Sequence, residues 1–451
     1  MLALLRGIIF VSAVTLTSFA SYFLIAIWPV LLTAVLQFLT RRKFAIFSHT
    51  VNKFYDVIQH MWITFVVLLM EGVFGLRFAY TLVASATTPY APRFEDVFAP
   101  SRPGKFKLII LNHRCPLDWL VMFPFIIRCG GSHSLRIVLK KELSCVPVFG
   151  WSMRLFRYLF LSRKWVTDEE VMTRMVSHYV SRGGATILLF PEGTDLSERS
   201  IARSNAFARQ NNLPQYRYVL NPRSKGIVAL KNMIGPENIE EIVDVTMGYE
   251  DFVPGERPVE RSVFSGRFPS KVHIVCTRHR FDGSSVSHQL HEQTYGACPD
   301  DQQLFAVSSD DDGFKNWLCD QFSKKELLLS HFYSNNPVRF DTSHVLSVMG
   351  KDCNVVTYDE DQYVADHPGS TKIGRLARGI GSWSSLIATS AFWILSFVVF
   401  VHLWGFWLFT WCVLIFLWCF WISYYRGGLD SFLTTQPCSA VEPCLMAKKS
   451  D

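Results

Sequence analysis

"LIILNHRCPLDWLVMF", running from Leu108 to Phe123, places a histidine and an aspartate five positions apart at the rim of a hydrophobic element. Just upstream, Lys107–Leu111 reads KLIIL, with the length and β-branched content of a buried strand. Downstream, Pro116 pre-sets a helical φ and suits a first helical position. The pattern predicts a helix from about Pro116 to Arg128, kinked near Pro124 and stopped at Gly130-Gly131. His113 then sits on a strand-to-helix turn, and Asp118 in the first helical turn, where a carboxylate also meets the helix dipole favourably. Five positions along one helix put side chains on different faces, but a turn between them lets the two meet. Such an aspartate fixes one imidazole tautomer while the other ring nitrogen takes a proton.

A second strand-to-loop transition follows in "ATILLFPEGTDLSE". The run Ala185–Phe190 is strand-like, Pro191 ends it, and Glu192, Gly193 and Thr194 fall beyond its C-terminal end. Ligands of open α/β sheets gather at that edge. Between the two transitions lie a strand-like start at Arg136–Leu139 and the segment "FLSRKW", whose Arg163 and Lys164 are candidates for phosphate contacts.

The chain has 451 residues, 49% hydrophobic and 18% charged, with 37 Phe and 13 Trp. That is too apolar for an ordinary soluble enzyme and too charged for a wholly embedded one. Gly7–Leu39 carries no charge, a second apolar patch runs from about Met61 to Ala84, and Trp383–Tyr425 has His402 as its only ionisable group of the Asp, Glu, Lys, Arg and His set. About 20 apolar residues cross a bilayer core of roughly 30 Å, so the last segment fits two antiparallel helices. The first, carrying Pro29, suits a bent span or a re-entrant hairpin. Basic flanks (Arg6, Arg41-Arg42-Lys43, Lys372, Arg375, Arg378, Arg426) place both chain ends in the cytosol. Lys448-Lys449, near the end, look like a dilysine endoplasmic reticulum signal. The 11 cysteines lack paired spacing and read as reduced thiols, Cys438 and Cys444 being possible lipidation sites. His288 and His291 read as a solvated helix face, and no metal ligand set is expected.

Asn112-His113 through Asp118 and Phe190-Pro191-Glu192-Gly193-Thr194 resemble the HxxxxD and FPEGT motifs of the glycerolipid acyltransferases, the lysophosphatidic acid acyltransferase group. "FPEGTDLSERS", "RSNAFA" and "YVLNPRSKG", in that order, look closest to the lysocardiolipin acyltransferase branch, over about residues 45–335. The Val-Pro type block of many members is missing from "IVDVTMGYED" (Ile242–Asp251), to which no role is assigned. The resemblance implies an α/β acyltransferase domain, a mixed sheet flanked by helices, with N-terminal membrane helices and a C-terminal transmembrane hairpin. The expected boundaries are 1–84 for the N-terminal helices, 85–335 for the domain, 336–378 for a linker, 379–425 for the hairpin and 426–451 for a cytosolic tail.

It further implies a membrane-bound enzyme of the endoplasmic reticulum that moves a fatty acyl group from acyl-CoA to a lysophospholipid hydroxyl. Acyl-CoA is then a co-substrate and no cofactor is needed, the bilayer is a partner, and nucleic acid is not. His113 is the base and Asp118 its orienting anion; Arg163, Glu192, Gly193 and Thr194 bind substrate. The basic block Arg136, Lys140, Lys141, Arg154, Arg157, Arg163 and Lys164 favours an anionic acceptor, and Arg223 and Lys225 are further phosphate candidates. The competing readings are a CoA-independent transacylase, a phospholipid hydrolase with the same dyad, and a non-catalytic scaffold.

Overall fold

The computed structural model describes residues 1–40, 48–85, 91–252, 256, 258–282, 304–336, 338–350, 353–367, 383–425 and 429. The basic flanks Arg41-Arg42-Lys43, Lys372, Arg375, Arg378 and Arg426 lie outside the described residues, as do His288, His291, Cys438, Cys444 and Lys448-Lys449.

Nine strands build one mixed sheet: β1 Arg77–Ser85, β2 Lys105–Leu111, β3 Leu135–Lys140, β4 Leu159–Leu161, β5 Gly184–Leu189, β6 Ile239–Tyr249, β7 Lys271–Phe281, β8 Phe305–Val307 and β9 Cys353–Asp359. Their order is β4-β3-β5-β2-β6-β7-β1-β9, with β8 pairing to β7. The β4 to β6 portion is parallel throughout, whereas β6–β7 and β1–β9 are antiparallel. Strand β2 shows how the sheet is covered. Phe106, Leu108 and Ile110 join one core with Met175, Leu230 and Leu328, whereas Ile109 and Leu111 join another with Ile63, Val66 and Trp393. The period of two in a strand separates these sets onto opposite faces. One face is covered by helices of the domain, Trp165–Ser181, Ser224–Ile234 and Asp311–Ser334, and the other by the apolar terminal helices.

Among the described residues, four helical stretches are long and apolar enough to cross a membrane: Leu2–Thr40, Thr50–Phe74, Trp383–His402 and Phe406–Ser423. The first is one helical run rather than a re-entrant hairpin. It passes through a π-helical turn, Tyr22–Ala26, in which the Ile27 N–H reaches the Tyr22 carbonyl at 3.1 Å. That wider turn lies just ahead of Pro29, whose missing N–H breaks the ordinary helical ladder.

Two expected boundaries shift. Arg77–Ser85, grouped by its hydropathy with the second apolar patch, is strand β1, hydrogen-bonded between β7 and β9. Cys353–Asp359, placed in a linker, is β9 and pairs with β1 from Ala79↔Asp359 to Ser85↔Cys353. A short apolar run has no periodicity that separates strand from helix, and partners so distant in sequence leave no local sign. Cys115, Cys129, Cys276, Cys319, Cys353, Cys412 and Cys419 are free thiols. Cys145 departs from the expectation of reduced cysteines, being disulfide-bonded.

The basic block is not one surface. Arg136 is buried against Asp56 at 2.7 Å, Arg154 donates to Ser144 Oγ at 2.8 Å, and Arg157 donates to Asn52 Oδ1 at 3.0 Å. Arg136 and Arg157 thereby tie the domain to the helix Ser48–Leu69, while Arg154 ties two segments of the domain to each other. Beneath the sheet's centre Lys325 pairs with Asp244 at 2.9 Å, both fully buried, and donates to the Val245 carbonyl. Burial pushes the lysine down and the aspartate up, and each is partly restored by the other.

Removing one member of such a pair strands a buried charge, at a cost of about 3–5 kcal/mol. Lys325→Met should therefore lower the unfolding midpoint in detergent strongly, and adding Asp244→Leu should restore most of it. A single variant as stable as wild type would show that the pair is not a structural tie.

Candidate active site

The site stands at the C-terminal edge of β2 and β5. Past Leu111, the last paired residue of β2, the buried Asn112 side chain accepts from Met247 N–H at 2.7 Å and donates to the Met247 carbonyl at 3.1 Å. It thereby continues the β2–β6 ladder one step beyond the strand, and the chain turns from a fixed point. His113 follows on that turn. Asp118 opens a short helix, Asp118–Val121, and a second, Phe123–Arg128, begins with Pro124 near its start, so the predicted helix is split at Met122.

The turn does bring the predicted pair together: His113 Nδ1 is 2.9 Å from Asp118 Oδ2. Asp118 is wholly buried and also accepts from the Cys115 N–H at 2.9 Å, the Cys115 thiol at 3.1 Å and the Tyr249 hydroxyl at 2.6 Å. A carboxylate has about four acceptor positions, and here they are taken. Burial, and then the Asp118 charge, push the Cys115 thiol and the Tyr249 hydroxyl well above their ordinary values, so both stay protonated and donate. A thiol held in that state is a poor nucleophile. Phe190 stacks on the imidazole, with ring centroids 4.2 Å apart, and Nε2 is the nitrogen left for the cavity that His113 lines.

Glu192 has a different place from the one expected of a substrate contact. It is buried, with Oε1 accepting from the His113 N–H at 2.8 Å and Oε2 from the Leu220 N–H at 3.1 Å. Burial pushes its carboxyl well above the usual range. It braces the His113 turn against the "YVLNP" loop. Gly193 lines the cavity with a left-handed φ of 70°, its N–H given to the Phe190 carbonyl at 3.0 Å. Thr194 is half-buried, with its hydroxyl 3.5 Å from Asp195 Oδ1.

Arg163, Arg223, Lys140 and Lys225 also line the cavity. Among the described residues no hydrogen bond or ion pair occupies the Arg163 guanidinium. Burial and then the neighbouring Arg223 hold its pKa below the ordinary value. Lys225 lies over the Trp165 ring, 4.4 Å from its centroid. A partly buried guanidinium beside a second one favours an anion between them. The cavity, about 780 Å³, continues from this basic end past His113 to an apolar arm bounded by Phe10, Val14, Ile58, Val66 and Trp393. Tyr249 is the site residue that the sequence reading lacked. Its only signal was an aromatic at the end of the strand-like run in "IVDVTMGYED".

Residues 99–245 match the family model described as Acyltransferase, so this segment is an acyltransferase domain. Over 292 residues the chain is 32% identical to "Lysocardiolipin acyltransferase 1" of Danio rerio, covering 64% of this chain and 64% of that protein. It is also 32% identical to "Probable 1-acyl-sn-glycerol-3-phosphate acyltransferase 5" of Arabidopsis thaliana, covering 51% of this chain and 54% of the relative. For "Lysophosphatidylinositol acyltransferase 10" of Caenorhabditis elegans the identity is 31%, with 51% and 54% covered. The chain thus spans less than two thirds of the length of these curated relatives.

The bracing role of Glu192 is open to measurement. Glu192→Ala leaves two backbone N–H groups buried without acceptors, at about 1–3 kcal/mol each, so the unfolding midpoint and kcat should both fall. A variant with an unchanged midpoint and only a raised KM for the acceptor would return Glu192 to the substrate-contact role.

Proposed function

We propose that this protein is a membrane-bound O-acyltransferase that moves a fatty acyl group from acyl-CoA to the free hydroxyl of a lysophospholipid. An anionic acceptor is preferred: lysocardiolipin, lysophosphatidylinositol, lysophosphatidylglycerol or lysophosphatidic acid. One observation carries this reading. A single cavity joins the His113–Asp118 pair to the unpaired Arg163 and Arg223 on one side and to an apolar arm among membrane-type helices on the other. Such a space suits a molecule with a phosphate head, a hydroxyl near it and a hydrocarbon tail. The relatives' names support the same substrate class.

In this scheme His113 Nε2 takes the proton of the acceptor hydroxyl, and Asp118 stabilises the imidazolium through Nδ1. The acceptor oxygen attacks the thioester carbon, the C–S bond breaks as the ester forms, and the imidazolium returns its proton to the leaving thiolate. The acceptor supplies the nucleophile, so the enzyme needs no covalent intermediate. Arg163 and Arg223 hold the phosphate, and Asn112, Glu192 and Tyr249 keep the turn in register. General-base help of this kind is worth about 10²–10⁴-fold.

With purified protein, acyl-CoA and a panel of lysophospholipids, His113→Ala should reduce turnover by that factor while membrane insertion is retained. Arg163→Gln should raise KM for anionic acceptors at saturating membrane. A His113 variant with more than about a tenth of wild-type turnover would remove the base. Equal acylation of neutral lysophosphatidylcholine in neutral micelles would remove the anionic preference. Acyl transfer from phospholipid but not acyl-CoA would favour the transacylase, and acyl release to water the hydrolase.

The same proposal puts the protein in the endoplasmic reticulum membrane, from the dilysine-like Lys448-Lys449, with the domain and both chain ends cytosolic, from the basic flanks. The alternative is a lumenal domain. Protease treatment of sealed microsomes carrying tags at each terminus decides between them: both tags should be cleaved, and protection of either overturns the cytosolic placement.

A further inference from the structure

The apolar arm of the cavity is not closed by the segment that matches the acyltransferase family. Part of its wall is Phe392 and Trp393, from the helix Trp383–His402, far beyond residue 245, where the match ends. Trp393 is buried and held from behind. Its indole N–H donates to the Met61 carbonyl at 3.0 Å, and its ring stacks on Phe65 with centroids 5.8 Å apart.

The next helix, Phe406–Tyr425, is tied to the same scaffold. Trp411 stacks on Trp28 at 5.0 Å, Phe416 meets Trp151 edge-on at 5.3 Å, and Cys419 Sγ lies 3.3 Å from the hydroxyl of Tyr22, itself a cavity residue. The outward face of the pair is different in kind: Trp407 is 84% exposed. One side of these helices therefore faces surroundings suited to lipid, while the other forms a stiff aromatic boundary inside the enzyme.

We propose that Phe392 and Trp393 end the arm that receives the donor's acyl chain, and so set the longest fatty acyl group transferred efficiently. The proposal rests on the acyltransferase reading above and adds to it a chain-length limit supplied by the C-terminal helices. A methylene that cannot fit short of the rings stays in water or displaces them, and each one left unburied forfeits about fourfold in binding.

The test measures kcat/KM for a series of saturated acyl-CoAs with one fixed lysophospholipid, and then for a series of acceptor chains with one fixed donor. Trp393→Ala and Phe392→Ala should shift the donor profile to longer chains, by about fourfold in the long-to-short ratio for each methylene newly accommodated. Val14→Phe, which adds bulk to the lining from the helix Leu2–Ser21, should shift it to shorter chains. Trp407→Ala, on the outward face, should leave the profile as it is. If Trp393→Ala does not fold, Phe392→Ala and Val14→Phe still carry the comparison. Active variants with an unchanged donor profile, or a shift in the acceptor profile alone, would overturn the chain-length limit while leaving the acyltransferase reading intact. A wild-type protein that acylates no lysophospholipid would remove that reading instead.

Discussion

A single buried carboxylate organises the reactive end of this molecule. Asp118 draws donors from three directions: the His113 ring, the Cys115 backbone and thiol, and the Tyr249 hydroxyl. A desolvated carboxylate with a missing donor would be costly, so the turn from β2 into its helix and the end of β6 are each constrained to meet it. His113 is consequently held in one orientation before any substrate arrives, and preorganisation of that kind is where most catalytic advantage lies. Glu192 repeats the device from the other side, gripping the same turn through a backbone N–H and the "YVLNP" loop through another.

The apolar helices are part of this architecture and not an anchor hung from it. Ile109 and Leu111 of β2, Leu188 of β5 and Val243 of β6 share a continuous core with Ile63, Val66 and Trp393. Gly7 marks how closely the first helix lies on the domain: a Cβ there would come within 2.3 Å of the Val263 carbonyl. Membrane-side helices packed directly on one sheet face put a hydrocarbon-lined space beside a polar sheet edge. An amphiphile needs both.

The guanidiniums divide by whether they are satisfied. Arg136, Arg154 and Arg157 are buried with oxygen partners; Arg136 and Arg157 rivet the domain to the helix Ser48–Leu69, and Arg154 holds the Ser144 segment. Arg163 and Arg223 face the cavity instead, and the Arg223 charge makes that of Arg163 harder to bury. Like charges brought together by the fold favour a ligand that brings the opposite one.

From the residues alone, the dyad, the strand-to-helix turn that carries it and the apolar segments at both ends were legible, because turn chemistry, hydropathy and a five-residue spacing are local properties. The basic block was legible only as a composition: burial sorts those arginines, and burial depends on which helix covers them. The tertiary structure alone turned Glu192 inward, brought Tyr249 to Asp118, and added β1 and β9 to the sheet from beyond the expected domain limits. It also brought Trp393 of the C-terminal helix into the cavity lining. Each of those depends on a contact between segments distant in the chain, and side-chain periodicity records which face of an element is buried without recording against what.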